Sequence, residues 1–71
     1  MSKFEGIILM KENRIELLKN ELESFKKDIQ YLAGQDIVDE MRIITEAKRV
    51  GDIQKEISMM QEEVNLFKAL Q

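Results

Sequence analysis

The spacing of apolar residues in the first half of the chain constrains the fold more than any other feature. Starting at Phe4, the series Phe4, Ile8, Lys11, Ile15, Leu18, Leu22, Phe25, Ile29 and Leu32 advances in steps of four and three. Only Lys11 among these nine is not apolar. A 4-3 repeat held over four heptads marks a helix with one narrow seam, as in a coiled coil. A strand would need alternation, and a membrane span would need an unbroken apolar run of about 18 residues or more. The face opposite the seam carries Glu12, Glu16, Lys19, Glu23, Lys26 and Lys27 and reads as solvated. Lys11 reads either as a stem lying along the seam with its ammonium in water, or as a residue that specifies register or partner.

A seam needs a second helix to cover it. Leu32-Ala33-Gly34-Gln35-Asp36 supplies a stop, a turn and a start. Gly34 is suited to a left-handed helix end and Asp36 to capping the next helix. Replacing Gly34 with Val should then weaken the turn. Asp36, Asp39 and Glu40 place acids at the positive end of that helix. Its apolar set reads Ile37, Met41, Ile44, Ala47, Val50 and Ile53, then Ile57, Met60, Val64 and Phe67. The three-residue steps in its first part shift the stripe, as a stammer does. Gly51-Asp52 falls inside that shift and is the place for a kink or break. At the other end of the chain, Ser2 and Glu5 fit a capping box opening the first helix. With no proline and a Leu/Ile/Met/Glu/Lys-rich composition, long helices are favoured over strands.

The expected fold is therefore all-α. It is one antiparallel helical-hairpin domain over residues 1–71, with helix 1 at about 3–33, the turn at 33–36 and helix 2 at about 36–69. The core should hold Ile8, Ile15, Leu18, Leu22, Phe25, Ile29, Leu32, Ile37, Met41, Ile44, Val50, Ile53, Ile57, Met60, Val64 and Phe67.

Size adds a second expectation. A domain of 71 residues buries little surface, and below roughly 70–80 residues stability usually needs disulfides, a metal or self-association. The chain has no Cys and no His, which excludes disulfides and zinc sites of thiolate or imidazole. Self-association is left. The apolar content also exceeds what one seam needs. Phe4, Ile7, Leu9 and Met10 at one end, and Met59, Met60, Leu66, Phe67 and Leu70 at the other, meet at the open end of a hairpin. With Leu17, they form the candidate interface, either with a second copy or with another protein. Two hairpins would make a homodimeric four-helix bundle.

Chemistry is poorly provided for. The three serines have no base beside them, and no glycine-rich phosphate loop exists. The acid groups Asp36/Asp39/Glu40 and Glu62/Glu63 lie off the apolar stripe and read as helix-end and surface charge. The expectation is no enzyme, no cofactor, no metal and no catalytic residue. Net charge is −3, with 11 basic and 14 acidic residues, and the acidic excess falls in residues 35–71. Arg42, Lys48 and Arg49 could face nucleic acid, but Glu46 and Asp52 stand among them, so an ordinary mixed face is the better reading. An acidic decoy of DNA phosphates is a still weaker option. No membrane partner and a cytoplasmic location are expected.

The outline resembles small phage and bacterial helical hairpins that dimerise, such as plasmid-copy regulators, sporulation phosphatases and secreted hairpin proteins. It has neither a Ser-Gln-Glu-Leu-Asp stretch nor a Trp-x-Gly turn. The resemblance is one of architecture. It implies a small regulator or inhibitor that docks on a larger host protein, with a structural homo-oligomer as the alternative.

Overall fold

A computed structural model describes residues 3–71. Two helices, α1 (Glu5–Ala33) and α2 (Glu40–Ala69), pack against each other. They form a rod whose Cα envelope measures 56 × 14 × 11 Å.

Every member of the α1 series is buried or half-buried: Ile8, Ile15, Leu18 and Leu32 fully, the other five partly. The seam of α2 differs from the one expected. It runs Ile43, Glu46, Val50, Ile53, Ile57, Met60, Val64 and Phe67, all buried or half-buried, in unbroken 3-4 steps. There is no stammer. Ile37 is 90% exposed, Met41 71% and Ile44 44%, and Ala47 is exposed too, so none of these four belongs to the seam. Apolar character alone selected those residues. The strong repeat from Val50 to Phe67 sets the phase of the whole helix, and extending it backwards by four residues lands on Glu46.

The ends of the helices also differ. α1 starts at Glu5 with Phe4 at the cap position and no side-chain cap bond, so Glu5 is not the third residue of a capped helix. Ser2, the expected cap, lies outside the described residues. Gly34 is not left-handed: its φ is −87°, and its N–H donates to the carbonyls of Gln30 and Tyr31 at 3.2 Å each. A Cβ there would sit 3.6 Å from those same two oxygens, an ordinary contact. The turn therefore does not demand glycine, and the expected cost of Gly34→Val loses its basis. Asp36 is not the cap of α2. Asp39 takes that role, its Oδ1 accepting from the Arg42 N–H at 3.1 Å. The connection thus spans residues 34–39 rather than 33–36.

α2 continues through Gly51. Nothing lies within 4 Å of where a Cβ would stand. Gly51→Ala should therefore stabilise the helix by about 0.8–1.0 kcal/mol, a rise in melting temperature of roughly 4–8 °C. A thermal melt followed by circular dichroism checks this, and a fall on substitution would mean that α2 bends or breaks at Gly51.

Candidate interaction surface

The ion pairs show how the two helices are turned. The repeat is lettered abcdefg with the seam at a and d. Then Ile8, Ile15, Leu22 and Ile29 are a in α1, and Ile43, Val50, Ile57 and Val64 are a in α2. Arg14 pairs with Glu56 at 3.7 Å, Glu21 with Arg49 at 3.1 Å and Asp28 with Arg42 at 3.4 Å. All six residues occupy g, and in each pair the residue numbers add to 70. This is the signature of antiparallel helices in a fixed register, with both g flanks on one side of the rod. Phe4 and Phe67, whose rings lie 5.4 Å apart and tilted 46°, keep nearly the same register. Lys68 and Glu12, both at e, pair at 3.3 Å on the other flank.

These pairs are substantially exposed, and such pairs contribute only about 0–1 kcal/mol each. Their larger effect is on register and orientation: a one-heptad slip would set Arg14 against Arg49 in one direction or Glu21 against Glu56 in the other. Lys11 behaves as a seam lysine whose ammonium finds a partner, Glu63 Oε2 at 3.0 Å, with its side chain 25% exposed.

The surface residues proposed from sequence separate into three groups. Phe4, Met60 and Phe67 belong to the hairpin's own core, where they pack against Ile8, Ile15 and Val64. Leu9 is exposed at b, on the e flank. Ile7, Met10, Leu17, Met59, Leu66 and Leu70 are exposed, between 41% and 74%. In the repeat they all fall at g or c, adjacent positions on the flank that carries the g–g ion pairs. By the register of those pairs, Met59 and Leu66 of α2 and Leu70 at its C-cap lie at the end of the rod where α1 begins. The six residues therefore share the open half of one flank, with the ion-paired Arg14, Glu56 and Glu63 among them. The sequence alone does not assign them to one flank, because the flanks shared by the two helices are defined only once the register is known. Of the residues expected to form the turn, Gly34 and Asp36 lie at the opposite end of the rod.

On the same flank, nearer the connection, a shallow groove of about 430 Å³ is lined by Ser24, Phe25, Lys27, Asp28, Tyr31 and Glu46. Glu46 occupies a d position of the seam. No donor among the described residues reaches its Oε2, which is buried. When protonated, the Glu46 carboxyl can donate to the Asp28 side chain, and this raises its pKa above the ordinary 4.5. Burial and the Asp28 charge push the same way, and Arg42 pulls against them. Two carboxyls can bond to each other only while one holds a proton, which is why the bond favours the neutral acid. From the sequence Glu46 reads only as one acid of a mixed surface face, not as a seam residue.

Arg42 and Arg49, two of the three cations weighed for nucleic acid, are engaged by Asp28 and Glu21. No group of three or more acidic, His or Cys side chains among the described residues could hold a metal ion. Among the described residues no helix is long and apolar enough to cross a membrane. The fold and surface define a two-helix, coiled-coil-like hairpin with one apolar flank. No protein-family model, curated protein or solved structure matches this chain.

Proposed function

We propose that this chain is a small non-catalytic protein–protein interaction module, a regulator or inhibitor of bacterial or phage type that acts by docking its helices on a larger protein. One observation carries the reading. The exposed apolar side chains of the open half gather on the g/c flank, while the e/b flank of that half is polar apart from Leu9. Scattered apolar residues need no explanation, but exposed apolar residues gathered on one face point to an interaction surface. Methionine at two of its six positions gives that surface side chains that adapt to a partner. The arrangement suits recognition in which helices lay apolar faces against another protein.

The test is capture from a lysate of the source cell. The bait is the wild-type chain, compared with the double variant Met10→Glu/Met59→Glu. Both residues are exposed, at 74% and 63%, and such surface changes usually alter stability by less than about 0.5 kcal/mol. The expected result is a protein retained by the wild type and lost by a folded double variant. Retention by both would move the docking surface off this flank.

A further inference from the structure

We propose that a second copy of this chain covers the g/c flank, related by a two-fold axis parallel to the rod, so that α1 of each copy lies along α2 of the other. The proposal rests on reading that flank as a docking surface, and it names the occupant.

Need is the first argument. Only six residues of the described chain are buried apolar residues, a small core for a chain that has no cysteine and, among the described residues, no metal-binding cluster to help it. Area is the second. A rod face of 56 × 14 Å offers roughly 780 Å² per copy, so two full faces bury about 1,570 Å², close to the ~1,600 Å² of a standard stable interface. Overlap of the open halves alone would bury about half of that, below the roughly 1,000 Å² a specific interface should exceed.

Full overlap leaves two ways to relate the copies. An axis across the middle of the rod would set the apolar half of one copy against the other's turn half, where Asp28, Arg42, Glu21 and Arg49 hold their ion pairs. An axis along the rod sets apolar half on apolar half. It also keeps every neighbouring helix antiparallel, the up-down order of a four-helix bundle. In the hairpin register Met10 and Met59 lie at nearly one level. The rotation therefore brings Met10 over Met59 of the partner subunit. Ile7 comes over Leu66 of the partner subunit in the same way. Charge does not oppose the contact, because Arg14 and Glu56, and Lys11 and Glu63, neutralise each other within one copy.

The experiment combines mass with cross-linking. Sedimentation equilibrium at micromolar concentration should give twice the chain mass of 8.4 kDa. The double variant Met10→Glu/Met59→Glu should weaken association at least 100-fold with its helicity intact. The chain has no cysteine, so Met10→Cys and Met59→Cys each place one thiol on a copy. Mixed in equal amounts with a bismaleimide of about 10 Å reach, matched to packed helices, they should cross-link mainly as the mixed pair. A monomer mass with full helicity overturns the proposal. So does a dimer in which the mixed pair does not cross-link, as the axis across the middle of the rod requires, or one in which Met10→Cys links mainly to itself, as overlap of the open halves alone requires. A monomer whose captured lysate protein is still lost by the double variant would overturn the self-association while leaving the docking reading intact. A dimer that captures nothing from the lysate would uphold this proposal and remove the docking on a larger protein.

Discussion

Leu18→Ala is expected to lower the melting temperature by roughly 10–30 °C, from a loss of about 2–5 kcal/mol. Leu18 has no exposed surface, and Ile53, at the same level of the seam by the 70–71 register, has none either. Truncation there removes buried methyl groups and leaves a void between two helices that lack other support. A domain of this size holds only about 4–10 kcal/mol in all, so the variant should be near unfolding at room temperature. The control is its neighbour. Leu17 is 61% exposed, and Leu17→Ala should shift the hairpin's own stability by less than about 0.5 kcal/mol. Leu17 also lies in the proposed dimer face, so both melts belong at one low chain concentration. Equal shifts for the two variants at that concentration would mean that the seam is placed wrongly.

Glu46→Leu should act in the opposite direction and raise the melting temperature by roughly 5–10 °C. The substitution puts an apolar side chain where the 3-4 repeat of α2 calls for one, and it removes the carboxyl that faces Asp28. The pH dependence follows from the same contact. Asp28 raises the pKa of Glu46 in the folded chain, chiefly through the hydrogen bond between the two side chains, assisted by burial. The folded chain then holds a proton that the unfolded chain has already released. This contribution is therefore fully present below the ordinary value of 4.5 and is lost as pH rises through the folded value. Chemical denaturation of the wild type across that window should show stability from Glu46 falling with rising pH. Glu46→Gln should lose that component while leaving the rest of the profile. An unchanged profile in Glu46→Gln, or a lower melting temperature in Glu46→Leu, would place Glu46 off the seam.

Glu46 also shows how far local pattern can be read. The α1 seam was legible because nine positions in one phase leave no competing stripe, and a single lysine does not obscure it. The first half of α2 offered two stripes. One was apolar in residue type, through Ile37, Met41 and Ile44. The other kept the phase of Val50–Phe67 but carried a carboxylate. Residue type favours the first and phase the second. Phase prevails, since a straight packed helix cannot change its buried side for three residues without breaking its contacts with α1.

The turn teaches a similar lesson. Gly34 and Asp36 have the right chemistry for a helix stop and start, yet the connection takes an ordinary φ at Gly34 and caps α2 at Asp39. Several residues near a turn can cap a helix, and where α2 begins to touch α1 decides which of them does.

The sequence by itself determined two long helices, the α1 seam and the absence of any thiol or imidazole side chain. Those follow from residue type and from spacing along one chain, both local properties. The tertiary structure alone decided the register of α2, the place of Glu46 on the seam, and the gathering of six exposed apolar residues on the open half of one flank. A flank shared by two helices exists only after their rotation and register are set. Interhelical contacts such as Arg14–Glu56, Glu21–Arg49 and Asp28–Arg42 set them, between residues 14 to 42 positions apart in the chain.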